Sequence, residues 1–315
     1  MTVSAKRMAL ALSALGLMAS SAMAAPAALV TVDDTRPFPE SLTSDKAGDI
    51  FFGSMTKGTI YRSRSGSATA VPWISSAISG MNAVLGVYAD DKSNTLYACS
   101  IAGGAPPEKA ATLSALRAFD LKTGDPKAAY PMVGAGKALC NDVAVAKDGS
   151  LYVADTIGGT IQRLKKGSTA LEVWIKDPRL AGADGIAEGG DGAIYVNTFT
   201  TSRFFKVPVG KDGAAGEIVE LKPSLPLDHP DGLRSIGGMK FLQAEGNAGR
   251  ITEVTISGDQ ATLKPLKSEL GLTSVTVARG KAWALNSKLA YRNDPKLKDQ
   301  DPGAFAAEAF DLPKH

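Results

Sequence analysis

Six short strand-like segments with an aromatic near the centre recur along this chain: DIFFGS, TLYACS, SLYVAD, AIYVNT, MKFLQA and KAWALN. The aromatics are Phe51, Tyr97, Tyr152, Tyr195, Phe241 and Trp283, spaced by 46, 55, 43, 46 and 42 residues, about 46 on average. A period of this length marks stacked supersecondary units, each too small to bury its own apolar face. An upstream apolar strand and a turn precede each copy, as in VAVAKDG before Leu151 and GIAEGGDG before Ile194. Most copies run on into a third strand, such as GTIYR (58–62), GTIQRL (159–164), SRFFKVPV (202–209) or GRITEV (249–254). Fourth strands follow, such as LEVWIK (171–176) and EIVELK (217–222).

Four antiparallel strands per unit is the pattern of a propeller blade. The expected fold is therefore all-β: a six-bladed β-propeller filling residues 25–315 as one domain. The last blade lacks a fourth strand after FAAEAFDLP, and ALVTVDD (28–34) is placed to supply it. That would close the ring by the N-terminal strand and cover two sheet edges. The competing reading is six unrelated hairpins in a sandwich. At 315 residues and 44% hydrophobic content, the chain can bury one large core. Its 33 glycines suit a fold with many turns.

Residues 1–24 read as a cleavable signal peptide. Lys6 and Arg7 are followed by MALALSALGLMASSA, and Ala22-Met23-Ala24 offers a small-x-small cleavage site. The apolar run is too short to span a membrane, and no second run of spanning length exists. The expected location is periplasmic or secreted. Cleavage would leave 33 basic against 32 acidic side chains, a net charge of +1 rather than +3. No basic stripe interleaved with aromatics is present, so no nucleic-acid partner is expected. Two cysteines remain, Cys99 and Cys140, either bridged or buried as free thiols.

The repeat has a register that can be tested. Eleven residues before the aromatic, at the start of each first strand, stand Glu40, Gly86, Asn141 and Asp184; ten before, in the two blades with shorter hairpins, stand Asp231 and Thr273. First strands line a propeller's channel, so Glu40, Asn141, Asp184 and Asp231 would converge at one mouth. Three carboxylates and an amide are all-oxygen ligands, suited to one divalent cation: Ca²⁺ first, then Mg²⁺, Mn²⁺ or Zn²⁺. The alternative is that Asp184-Gly185 and Asp231-Gly232 merely start bends, which leaves Glu40 unexplained. Two-residue alternation points Asp142 away from Asn141, as a residue supporting the ligands or bonding at the strand start. His229 would assist a proton transfer or serve a structural hydrogen bond.

These motifs carry a resemblance. CNDVAVAKDGSLYVADT, HPDGL (229–233) and PES (39–41) resemble motifs of the senescence marker protein/gluconolactonase/luciferin-regenerating-enzyme family of regucalcin-like six-bladed propellers. The resemblance implies one divalent cation held by Glu40, Asn141, Asp184 and Asp231, hydrolysis of a lactone or related ester, and Asp231 as general base. Three departures stand out: Asp184 replaces the family's usual Asn, PESLT lacks its Gly-Pro-x-Trp, and Leu139 stands where its sugar lactonases often carry Arg. They argue against gluconolactone itself as substrate.

The expected function is an exported, monomeric metal-dependent lactonase or esterase acting on a small molecule. The rival is a non-catalytic propeller that binds a small molecule or protein partner, with or without a structural Ca²⁺. No Gly-x-Ser-x-Gly elbow is present. An insertion, IAGGAPPEKAATLS, between Cys99 and Leu116 is a candidate lid in either case.

Overall fold

A computed structural model describes Met1 and residues 28–103, 114–134 and 138–313. The signal peptide expected in residues 1–24 falls, beyond Met1, outside the described residues, as does most of the insertion, at 104–113.

The described chain is built of β-strands and the turns between them, with almost no helix. An N-terminal strand, β1 (Leu29–Val32), precedes a first unit of β2 (Pro39–Ser44), β3 (Ile50–Ser54), β4 (Ile60–Ser63) and β5 (Thr69–Ile74). The second unit is β6 (Ala83–Asp90), β7 (Thr95–Ile101), β8 (Ala115–Asp120) and β9 (Pro126–Pro131). The third is β10 (Cys140–Val145), β11 (Leu151–Asp155), β12 (Thr160–Leu164) and β13 (Glu172–Lys176). The fourth is β14 (Ala183–Glu188), β15 (Ile194–Thr198), β16 (Arg203–Val207) and β17 (Val219–Glu220). After β18 (Lys222–Pro223), the fifth is β19 (Pro230–Gly237), β20 (Lys240–Glu245), β21 (Arg250–Ser257) and β22 (Gln260–Ser268). The sixth is β23 (Leu272–Ala278), β24 (Lys281–Asn286) and β25 (Ala306–Phe310). Each unit is an antiparallel meander, and the first strands of successive units pack on one another in a cycle from β2 through β23 and back to β2.

The pairings at the outer edges differ from simple four-strand units. β1 pairs antiparallel with β25, Val30 opposite Ala307, and parallel with β5, Thr31 opposite Thr69. This joins the first and last units into one eight-stranded sheet. The expected strand EIVELK is divided: Val219–Glu220 stays with β16, whereas Lys222–Pro223 pairs in parallel with β22 of the next unit.

The periodic aromatics hold neighbouring sheets together. Phe51, Tyr152, Tyr195, Phe241 and Trp283 are fully or almost fully buried. Tyr195 and Phe241, from adjacent units, meet at a tilt of 47° with centroids 4.9 Å apart in one apolar cluster. Each such ring contributes roughly 1.5–3 kcal/mol on burial. Tyr97 is the exception: it is half-buried and lines a groove. Phe241 is also offset by one, since Leu242 opposite Arg234 matches Tyr152 opposite Ala144.

Candidate metal centre

Each first strand carries a β-bulge at the same point. The register shifts lie between Pro39 and Ser41, Val84 and Val87, Cys140 and Val143, Ala183 and Ile186, Pro230 and Leu233, and Leu272 and Ser274. A bulge leaves one or two residues unpaired and re-aims their side chains. The residues inside these bulges include Glu40, Asn141, Asp184, Asp231 and Thr273, and all five line one small cavity.

The second unit corrects the expected register. Its hairpin is one residue longer, with Tyr88 opposite Tyr97, so Leu85 and not Gly86 matches Asn141. Leu85 packs into the apolar cluster around Cys99 and Cys140. Asp142 pairs with Arg234 beside the candidate ligands. Within the bulge the alternation lapses, and both Asn141 and Asp142 line the cavity.

The Asp-Gly pairs are not bends. Gly185 and Gly232 have no positive φ. They let adjacent first strands approach closely: a Cβ on Gly185 would lie 2.3 Å from the Asp231 carbonyl oxygen.

Glu40, Asp184 and Asp231 offer carboxylate oxygens that lie within 4.8 Å of one another, the one such group of three among the described residues. Glu40, Asp184 and Asp231 are each 6% exposed and Asn141 is 7% exposed. Asn141 Nδ2 donates to Asp184 Oδ2 at 2.8 Å and to Thr156 Oγ1 at 2.9 Å. Thr156 Oγ1 in turn donates to the Ala183 carbonyl at 2.7 Å. Thr273 Oγ1 donates to the Glu40 carbonyl at 2.7 Å, so the sixth unit braces a candidate ligand. Asn197, unforeseen in the sequence, accepts from Gly185 N–H at 2.9 Å and donates to the Asp231 carbonyl at 2.7 Å.

The electrostatics point to a cation. Burial, then the charges of Asp184 and Asp142, push the Glu40 carboxyl well above the usual carboxylate range. Burial, then the charges of Asp184 and Glu40, raise Asp231 in the same way. Asp184 is pushed up to about 8, by burial first and by Asp142 next. Glu40 Oε2 is buried without a hydrogen-bond partner. Three clustered carboxylates, one with an unpartnered oxygen, form a hard all-oxygen donor set that a divalent cation fits.

Arg234, also unforeseen, lies three residues after Asp231 in β19 and is buried. It pairs with Asp142, Nη1 to Oδ2 at 2.5 Å. The sequence signal was a charged residue within a channel-lining strand. Burial alone would weaken its proton affinity, and Asp142, Tyr88 and Glu40 together more than offset this.

Cys99 and Cys140 form a disulfide between the second and third units, beside Asn141. His229 stands at φ 53°, just before Pro230 and Asp231. Its Nδ1 lies 2.7 Å from Asp228 Oδ1 and 2.9 Å from Asn247 Nδ2, and its ring meets Phe199 edge-on. Two wider cavities, about 670 and 710 Å³, are lined by residues toward the other end of the first strands, Val145 and Lys147 among those of both.

No protein-family model matches the sequence, and no curated protein matches it. Solved structures do. A gluconolactonase from Xanthomonas campestris matches over 90% of this chain and 89% of its own, with a TM-score of 0.61 at 17% identity. A protein described as a putative gluconolactonase matches over 85% and 87%, with a TM-score of 0.61 at 16% identity. The fold is a β-propeller. Virginiamycin B lyase from Staphylococcus aureus is also similar, over 90% of this chain and 98% of its own, with a TM-score of 0.58 at 14% identity. A variant of that lyase with one histidine changed to alanine is described as catalytically inactive. At these identities the likeness of this propeller to each is one of fold. No helix among its described residues is long and apolar enough to cross a membrane.

Proposed function

We propose that this chain is an exported six-bladed propeller, closed by β1, that hydrolyses a lactone or related carboxylic ester at one divalent cation, Ca²⁺ first. The observation that carries this reading is the buried cluster of Glu40, Asp184 and Asp231 around the unpartnered Glu40 Oε2. Three carboxylates crowded out of water repel one another unless protonated or bridged by a cation. The cycle of first strands and the pairing of β1 with both β25 and β5 support the ring. The gluconolactonase neighbours support the reaction class.

Glu40, Asn141, Asp184 and Asp231 would hold the ion, each aimed by its strand bulge. When bound, the ion would polarise the ester carbonyl and offset the charge that develops on its oxygen. Asp231 accepts a proton from water as the water oxygen bonds to the carbonyl carbon. The same proton passes to the leaving alkoxide as the ester C–O bond breaks, giving the hydroxy acid. Asn197 keeps Asp231 in place through its backbone carbonyl. Thr156 orients the Asn141 amide, so that its oxygen is left for the ion.

A lyase reading has less support. His229 is the one histidine among the described residues, and it is engaged by Asp228 and Asn247. The test is a panel of lactones and aryl esters offered to the metal-stripped mature chain, with Ca²⁺, Mn²⁺ and Zn²⁺ added back. Hydrolysis that follows the added ion supports the reading, and none with any ion or substrate refutes it.

A further inference from the structure

One guanidinium sits on the channel wall directly behind the candidate ligands. Arg234 Nη1 donates to Asp142 Oδ2 at 2.5 Å and to the Leu233 carbonyl at 2.8 Å. Its Nη2 donates to Asp142 Oδ1 at 3.2 Å, the Val87 carbonyl at 3.1 Å and Ser41 Oγ at 3.4 Å. The acceptors come from the first strands of four units. Each lies close in sequence to a bulge residue: Ser41 follows Glu40, Asp142 follows Asn141, and Leu233 follows Asp231 by two. The Ser41 hydroxyl also accepts from Val87 N–H at 3.3 Å, which ties the first unit to the second.

These acceptors have a chemistry of their own. A bidentate carboxylate, a hydroxyl and two backbone carbonyls, all buried, are the oxygen donors that hold a hard cation. Here the cation is a side chain. With Glu40, Asp184, Asp231 and Asp142 ionised, the channel would hold four negative charges. One divalent ion and one guanidinium leave a single negative charge, whereas the ion alone leaves two. Arg234 also acts on its neighbours through space, favouring the charged forms of Glu40 and Asp184.

We propose that Arg234 is a built-in cation of the channel: it fills an oxygen cage of Asp142, Ser41, Val87 and Leu233 that would otherwise take a second divalent ion. The inference rests on the reading of Glu40, Asn141, Asp184 and Asp231 as ligands of the first ion. It explains why an arginine is buried at the heart of a cation site. It also makes Arg234 a positioning residue, since it bonds the side chains of Ser41 and Asp142, next to Glu40 and Asn141, and the Leu233 carbonyl, two residues from Asp231.

The experiment is a calcium titration by calorimetry on metal-stripped wild type, Arg234→Met, Arg234→Lys and the double variant Arg234→Met/Asp142→Asn. Wild type and Arg234→Lys should take up one ion per chain. Arg234→Met should take up one more than wild type, and the double variant should lose that extra ion. An unchanged count in Arg234→Met overturns the inference. Should Arg234→Met fold only in Ca²⁺, counting the calcium that stays bound after desalting reads the same number: one ion more than wild type supports the inference, and an equal count or no folding in Ca²⁺ overturns it. A wild type that binds no Ca²⁺ counts against the proposed function, while the gain of one ion in Arg234→Met still tests the cage separately.

Discussion

Asn141 and Asp184 stand 43 residues apart in sequence and meet through a 2.8 Å hydrogen bond from Nδ2 to Oδ2. The bond links the first strands of adjacent units and consumes the amide's donor. Thr156 takes the other donor position, so the Asn141 oxygen is available as a ligand. Replacing Thr156 by Val should leave the fold intact and weaken Ca²⁺ binding by about 10–100-fold, the usual cost of losing a group that orients a ligand. Calorimetry of the stripped protein checks this; unchanged affinity would mean that Asn141 is held by Asp184 alone.

Asp142 and Arg234 form a buried ion pair. Asp142→Asn should destabilise the protein by about 3–5 kcal/mol, because it strands a buried guanidinium. Adding Arg234→Met should recover much of that loss, since a neutral pair carries no such penalty. Urea denaturation of the three variants in chelator gives both numbers.

The ligand carboxyls predict a pH dependence. The Asp184 carboxyl is raised from an ordinary value near 3.8 to about 8, and Glu40 and Asp231 are raised too. A raised folded-state value favours the protonated form, so its stabilising share is fully present below about pH 4 and is lost as pH rises through 8. The metal-free protein should therefore lose stability across that window. Ca²⁺ bound by these carboxylates would replace those protons, and its stabilising effect should grow over the same range. Melting curves at pH 5 and pH 8, in chelator and in Ca²⁺, test this. A Ca²⁺-induced rise in Tm that is no larger at pH 8 would contradict it.

Breaking the Cys99–Cys140 bridge should cost about 4 kcal/mol by the chain-entropy relation for a loop of 41 residues. The paired change Cys99→Ser with Cys140→Ser, followed by thermal melting, measures it. Because Cys140 precedes Asn141 directly, the same variant should also bind Ca²⁺ less tightly.

His229 is held by its neighbours and takes a left-handed backbone conformation. His229→Asn, a residue that tolerates that conformation, should keep hydrolysis largely intact. A loss of about 100-fold or more would place His229 in a proton transfer.

Much of the fold was legible because the sheets repeat. An aromatic in a second strand can pack between neighbouring sheets, and Phe51, Tyr152, Tyr195 and Trp283 do so at matching registers. The candidate ligands were legible for the same reason: one bulge recurs at one register, and polar residues at that register have to meet. Leu85 was hidden because a hairpin longer by one residue shifts every position behind it. The Asp142 partner was not legible, because the Arg234 guanidinium comes from another unit. Arg234 was hidden because its side-chain partners lie in other units, 92 residues away for Asp142 and 193 for Ser41. No local pattern announces a contact of that range. The Lys222–Pro223 pairing was missed because a strand of two residues leaves no periodicity to read.

The central claim is that Glu40, Asn141, Asp184 and Asp231 hold a cation that hydrolysis requires. The most direct measurement is the hydrolysis rate of the metal-stripped mature protein on a lactone panel, followed as Ca²⁺ is titrated in, for wild type, Glu40→Gln and Asp231→Asn. Wild-type activity should be absent in chelator and saturate at one ion per chain. Glu40→Gln should need far more Ca²⁺, and Asp231→Asn should stay inactive at any Ca²⁺ concentration. Activity that survives chelation, or is unaffected by Glu40→Gln and Asp231→Asn, would contradict the account.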